Sequence, residues 1–313
     1  MKILYLIMGA RNDLAGRNIR AILDHPVQNF MDTYNGSNEY NYMYYDGGYA
    51  YNSIEDGNHL CIEEDDGIYR TFEKTISALQ FIDDCKIGYD WLVRTNISQV
   101  VNLWLLDSIL PSLDPGFVYG QKNNTVIVPG KWENNIYTRG DMVIMGRGTV
   151  EEILNVSDMF FCKDTPALDH TDDVLMGMCL AASDPKYFKR MRVLKYAFFP
   201  MDFAGTQAVI KEHPEQLVHT LGIRMKTTPP GKQSGWSWED NEWRKDDCRK
   251  IELVGDFLRD KYVGGDFPLD RDVKDLYESN DIIVPLEYHY GDGRKSMLKL
   301  KDIRRLLEES VKK

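Results

Sequence analysis

Tyr89-Asp90-Trp91-Leu92-Val93-Arg94-Thr95-Asn96-Ile97-Ser98 decides the fold of this chain. Trp91-Leu92-Val93 reads as a buried strand that stops abruptly in polar residues, and a helical pattern follows at once (Val100, Val101, Leu103, Leu105, Leu106, Ile109, Leu110). A strand running straight into a helix is the unit of an open α/β sheet, where ligands bind beyond the carboxyl ends of the strands. Arg94, Thr95 and Asn96 are therefore expected at the mouth of a crevice.

Working outward, the first half of the chain alternates strand and helix patterns. Lys2 to Met8 is a continuous apolar run of strand length. Its apolar core is too short for a secretory leader, and Gly9-Ala10-Arg11-Asn12-Asp13 turns polar directly. Arg17 to Leu23 has helical spacing. Tyr42 to Tyr45 and His59 to Ile62 read as short strands, closed by Asp46-Gly47-Gly48 and by Glu63 to Gly67. Thr71 to Ile82 is helical. Interleaving of this kind predicts a mostly parallel sheet flanked by helices, with right-handed crossovers.

Further on, strands are expected at Phe117 to Gly120, at Thr125 to Val128 and across Asn135 to Gly146, the last interrupted by glycine. Helices are expected from Gly148 to Leu154, with Thr149 as cap, from Asp172 to Leu180, with an acidic first turn, and from Asp247 to Tyr262. Val193 to Pro200 reads as a late strand. Leu221 to Trp243 mixes Gly, Pro, Lys and Trp, as a long function-bearing loop would. The organisation expected is one α/β domain over residues 1–263 and a small C-terminal extension over 264–313, with a short strand at Ile282 to Leu286 and a charged helix from Leu298.

Composition bounds the function. The 313 residues are 43% hydrophobic and 28% charged, with a net charge of -11. That balance argues against a broad nucleic-acid surface and leaves room for a local basic groove. No apolar run approaches the roughly 20 residues of a membrane helix. Cys61, Cys85, Cys162, Cys179 and Cys248 are scattered and hold no C-x-x-C pair, which suggests neither a disulfide framework nor a zinc site. A reducing cytoplasm fits this usage, and the three Asn-x-Ser/Thr matches at Asn96, Asn123 and Asn155 are then chance.

Four segments, in order, resemble the GT-A glycosyltransferases of the Fringe and beta-1,3-galactosyltransferase type: Phe72 to Leu79, Tyr89 to Leu106, Tyr137 to Gly148, and His170-Thr171-Asp172-Asp173-Val174-Leu175-Met176-Gly177. The resemblance implies inverting transfer of a sugar from a nucleoside diphosphate donor, UDP-linked, to a hydroxyl acceptor on a glycan. It assigns Asp173 the role of general base, which must lie within hydrogen-bond reach of the acceptor hydroxyl, with Asp172 aiding the acceptor or the helix cap. Helix capping alone also explains both residues. Gly140 falls on the strand the family uses toward the acceptor.

The chain departs from that family at the metal motif. Arg94-Thr95-Asn96 stands where Asp-x-Asp would hold Mn2+ against the donor pyrophosphate. Guanidinium carries donors and no lone pair, whereas hard divalent cations such as Mn2+ and Mg2+ prefer carboxylate oxygen. Metal-independent transfer is expected, with Arg94, Arg224 and Lys226 meeting the diphosphate charge and Asn96 bonding ribose or phosphate. In the plainer alternative Arg94 pairs with a carboxylate and Asn96 caps the next helix.

Donor contacts are expected from Gly9 and Arg11 after the first strand, from Asp46 toward uracil or ribose, and from Lys74. Asp46-Gly47-Gly48 reads equally well as an ordinary turn. Trp236 and Trp238 offer faces for an acceptor sugar, or anchors that pin the loop to the core. Two rival functions share this fold. One is a glycosyltransferase acting on hydroxymethylated DNA bases. The other is a non-catalytic carbohydrate- or partner-binding module.

Overall fold

The computed structural model of the chain describes residues 1–10, 26–32, 34, 36, 38–66, 70–120, 123–126, 135–138, 140–160, 172–184, 186–194, 196–198, 202–218, 220–226, 242–263, 286–289 and 295–298. The strands are β1 (Lys2–Met8), β2 (Glu39–Asp46), β3 (Ser53–Glu55), β4 (His59–Cys61), β5 (Trp91–Asn96), β6 (Gln99–Val101), β7 (Val118–Gly120), β8 (Asn123–Val126), β9 (Asn135–Thr138), β10 (Met142–Gly146), β11 (Met191–Val193), β12 (Tyr196–Phe198), β13 (Gly222–Arg224), β14 (Leu286–His289) and β15 (Lys295–Leu298). The helices are α1 (residues 26–32), α2 (Thr71–Asp84), α3 (Leu103–Ile109), α4 (Arg147–Ser157), α5 (Asp172–Ser183), α6 (Phe203–Glu212), α7 (Pro214–Val218) and α8 (Glu242–Val263).

Eight strands form the central sheet in the order β11-β7-β10-β5-β1-β2-β4-β3. β1 runs parallel to both β2 and β5, while β10 and β3 run against their neighbours. The architecture is α/β with a mostly parallel sheet and helices on both faces, as the alternating patterns predict. β1 shows why its sequence is apolar throughout. Ile3, Tyr5 and Ile7 enter the core shared with α1, α3 and α8, while Leu4 and Leu6 enter the core under α2, α4 and α5. A strand covered on both faces has no polar side to present.

Several local expectations change. The helix after β5 does not begin at Val100. Gln99–Val101 forms β6, which pairs antiparallel with β13, and Asn102 then caps α3 by accepting from Leu105 N at 3.1 Å. β-branched Val100 and Val101 suit a strand once β13 supplies a partner. The glycine-interrupted strand is two strands in separate sheets, β9 and β10, broken around Gly140. The late strand is likewise split, β11 joining the central sheet and β12 the small sheet with β13 and β6. Thr149 does not cap α4. Gly146 holds the cap position, and the Thr149 hydroxyl donates to the Pro115 carbonyl at 3.1 Å. β3 was not expected at all, and it makes a hairpin with β4.

The helical stretch Arg17 to Leu23, the distal part of the Gly- and Trp-rich loop and the charged C-terminal helix lie outside the described residues. Among the described residues no helix is long and apolar enough to cross a membrane.

Candidate active site

Alternation along β5 sends Leu92 and Arg94 to the face covered by α2 and α5, because successive side chains point to opposite faces. Leu92 joins that core, and Arg94, two residues nearer the carboxyl end, is fully buried at its rim. Its Nη2 forms an ion pair with Asp172 Oδ2 at the start of α5. Its Nη1 donates to the Gly140 carbonyl, and its Nε donates to the Tyr45 hydroxyl at 3.1 Å. Asp172 also accepts from Thr75 Oγ1 at 3.3 Å, while its own backbone N–H donates to Thr71 Oγ1 at 3.1 Å. Two hydroxyls of α2 thus seat the first residue of α5.

Gly140 closes the arrangement. Its N–H donates to Asp173 Oδ2 at 2.9 Å, and Asp173 Oδ1 accepts from Val174 N at 3.0 Å. A methyl at Gly140 would stand 3.0 Å from Arg94 Nη1 and 3.3 Å from Asp173 Cβ. The missing side chain is what lets β5, α5 and this turn meet. Asp172 is buried and Asp173 half-buried, so of the two it is Asp173 that solvent reaches.

Burial pushes the Asp172 carboxyl up to about 6, against the pull of Arg94. Burial works the other way on Arg94, but Asp172 and Tyr45 outweigh it and the guanidinium is held above its ordinary range. At neutral pH both partners are charged, and only the carboxyl is within reach of mild acid.

The other expected donor contacts separate into two groups. Lys74 is buried on α2 and donates to Asp66 Oδ1 at 2.6 Å and to the Gly9 carbonyl at 3.3 Å. It ties the end of β1 to the loop before α2. The same Asp66 oxygen accepts from Gly47 N at 3.0 Å, and a Cβ on Gly47 would run into the Glu64 carbonyl, so glycine is needed for that approach. Asp46 is fully buried and one of its oxygens engages His59 Nε2 at 2.9 Å. Neither Lys74 nor Asp46 presents its charge to solvent. Apolar surroundings force each to find a protein partner instead.

A second group gathers past the end of β5. Asn96 lies beside Asp141, whose carbonyl accepts from Asn96 N at 3.4 Å. Gln99 stands opposite Arg224 in the β6–β13 pairing, and the Arg224 guanidinium forms an ion pair with Asp141. Gln99 was not singled out in the sequence. It is 1% exposed, and both its amide atoms, like Asn96 Oδ1, have no hydrogen-bond partner among the described residues. Orphaned buried polar atoms are rare in folded proteins and often mark where a ligand or water completes the network. Lys226 follows, half-buried, two residues beyond Arg224. Arg11, Trp236 and Trp238 lie outside the described residues.

Arg94 has no lone pair to give, and the carboxylates of Asp172 and Asp141 already face Arg94 and Arg224.

No family model and no curated protein matches the chain. Solved structures that match the chain include three glycosyltransferases. One is a glycosyltransferase involved in glycosylation of the major capsid of PBCV-1, at 11% identity and TM-score 0.41, covering 81% of this chain and 100% of that one. The glycosyltransferase GlyE of Streptococcus pneumoniae TIGR4 is 9% identical at TM-score 0.38, covering 87% of this chain and 66% of that one. The galactosyltransferase LgtC, in complex with donor and acceptor sugar analogs, is 11% identical at TM-score 0.33, covering 82% and 95%. At TM-scores of this size the likeness carries no functional argument. The site has to be read from its own chemistry.

Proposed function

We propose that this chain is a GT-A-like inverting glycosyltransferase that moves a sugar from a nucleoside diphosphate donor, UDP-linked, to a hydroxyl of a glycan. The observation that carries the reading is the linkage of Arg94, Asp172, Gly140 and Asp173 into one hydrogen-bonded unit near the carboxyl ends of β1 and β5. Asp173 is the base. It takes the proton of the acceptor hydroxyl as that oxygen attacks the anomeric carbon, and the bond to the diphosphate breaks on the opposite side. Asp172 and Arg94 act behind it by fixing Gly140 and the first turn of α5.

Donor contacts fall to Gly9, which follows β1, to Asn96 and Gln99, of which Asn96 Oδ1 and both Gln99 amide atoms await partners, and to Arg224 and Lys226 for the diphosphate. Arg11, Trp236 and Trp238 complete the proposal from outside the described residues. Transfer proceeds without a divalent metal, because the donor set at the strand end favours anions over cations.

A second reading is a carbohydrate-binding module without turnover. It draws on the internal pairing of Arg94, Lys74 and Arg224 with Asp172, Asp66 and Asp141, which leaves those charges balanced before any donor arrives.

Thermal unfolding with UDP, UDP-sugars and free sugars, in chelator and in Mn2+, tests both. UDP-dependent stabilisation in chelator, with donor consumption, is the expected result. Stabilisation by sugars alone, without consumption, selects the module. The absence of any nucleotide response overturns the transferase.

A further inference from the structure

The edge of the central sheet carries a second polar group, on the opposite face from Arg94. β2 pairs with β4 in parallel, with Asp46 opposite Cys61, and β3 pairs with β4 antiparallel, with Glu55 opposite His59. Residues directly paired, and residues two apart on one strand, share a face. Asp46, Glu55, His59 and Cys61 therefore all project from one side, while Tyr45 and Leu60 between them enter the core under α2. The turn that folds β3 onto β4 uses Asp56 and Gly57, both with positive φ (51° and 79°), the backbone hand a tight hairpin requires.

Within this face one carboxylate oxygen of Glu55, one ring nitrogen of His59 and the thiol sulfur of Cys61 lie within 4.8 Å of one another. His59 Nε2 faces Asp46 Oδ1 at 2.9 Å, and His59 Nδ1 faces Cys61 Sγ at 3.9 Å. A carboxylate only accepts, so the Nε2–H points to Asp46 and the Nδ1 lone pair points toward the thiol. A carboxylate behind an imidazole is the arrangement that fixes the tautomer and orientation of a metal-binding histidine. Zn–S of about 2.3 Å and Zn–N of about 2.0 Å at a tetrahedral angle put sulfur and nitrogen about 3.6 Å apart, close to the separation observed. His59 and Cys61 are buried and Glu55 is exposed, so the group opens to solvent on one side only. Tyr49 packs edge-on against the imidazole, with ring centroids 5.8 Å apart.

We propose that Glu55, His59 and Cys61 bind one zinc-class divalent cation, with Asp46 orienting His59 and a water in the fourth position. The mixed sulfur, nitrogen and oxygen set suits zinc and cobalt(II), and poorly suits magnesium or calcium. The cation cross-links β3 to β4 and, through Asp46, to β2. This goes beyond glycosyl transfer and does not depend on it.

The test is titration of the chelator-treated protein with Co2+, followed by displacement with Zn2+. The expected result is one Co2+ per chain, with an intense near-ultraviolet thiolate-to-cobalt band that Zn2+ removes. Cys61→Ser abolishes the band. Glu55→Gln, a change at an exposed side chain that leaves folding intact, weakens binding by at least about tenfold, and Asp46→Asn weakens it by about 10- to 100-fold. A wild-type spectrum without a thiolate band, a band that persists in Cys61→Ser, or an unchanged affinity in Glu55→Gln overturns the site.

Discussion

Arg94 on β5 and Asp172 at the first position of α5 form an ion pair with both side chains under 5% exposed, joining the middle of the sheet to the helix that carries Asp173. The two partners are not equivalent. Arginine keeps its proton at any ordinary pH, whereas the Asp172 carboxyl, raised to about 6 by burial, takes one up readily. Removing Asp172 strands a permanent charge; removing Arg94 strands one that can be neutralised. Breaking a buried pair by removing one partner costs about 3–5 kcal/mol, so Asp172→Ala, which also takes away the acceptor for Thr75 Oγ1, is expected to fall at the upper end of that range and Arg94→Met at or below the lower end. Urea denaturation at pH 7 measures both, and the reverse ranking contradicts the argument.

The same carboxyl sets a pH dependence. Its folded value of about 6 lies above the ordinary 3.8, so folding takes up a proton between those limits. The stability it contributes is fully present below the ordinary value and is lost as pH rises through about 6. Asp172→Asn does not titrate there. The stability gap between wild type and this variant should therefore be widest near pH 4.5 and narrow toward pH 7.5. Denaturation midpoints across that range read it directly, and a gap that widens with rising pH refutes the assignment.

Asp173 makes a sharper claim on chemistry. It is half-buried and accepts from Gly140 N and Val174 N. Asparagine keeps one acceptor oxygen and the shape of the side chain but cannot take a proton. Asp173→Asn loses one of these two backbone hydrogen bonds and should lower the unfolding midpoint slightly, while retaining UDP binding and losing about 10²- to 10⁴-fold in transfer rate. Gly140→Ala, which pushes a methyl against Arg94 and Asp173, should lower the rate in the same assay and also the midpoint. Unchanged turnover in Asp173→Asn would remove it from the role of base.

Legibility in the sequence followed the range of the forces involved. β1, β2, α2, α5 and α8 are written in local apolar periodicity, and the chain shows them near their expected bounds. The β6 strand was hidden because Val100 and Val101 fit a helix equally well, and their partner β13 lies far along the chain. Arg94 shows the same limit at the level of a single residue. Its position at a strand end is plain, but its burial depends on Asp172, Tyr45 and Gly140, which no local pattern brings together. The Glu55, His59 and Cys61 group escaped a search for paired cysteines because its third member arrives across a hairpin. Asp56-Gly57 before the alternating His59-Leu60-Cys61 was the signal that would have found it.

Arg224 and Asp141 hold the remaining question, whether the basic strand β13 meets a diphosphate. Their ion pair lies at the rim, with side chains 14% and 11% exposed, opposite Gln99 and beside Asn96; both Gln99 amide atoms and Asn96 Oδ1 lack partners among the described residues. An incoming phosphate and Asp141 compete for the same guanidinium. Asp141→Asn removes the competitor without adding bulk, so UDP should bind more tightly. Partly exposed ion pairs are worth up to about 1 kcal/mol, which bounds the gain at roughly fivefold. Arg224→Gln should weaken UDP instead, and in the double variant the gain from Asp141→Asn should vanish, because the competition it relieves is for the Arg224 guanidinium. Calorimetric titration of UDP into the four proteins completes the cycle. Additive effects, or no effect of Arg224→Gln, would place the diphosphate elsewhere.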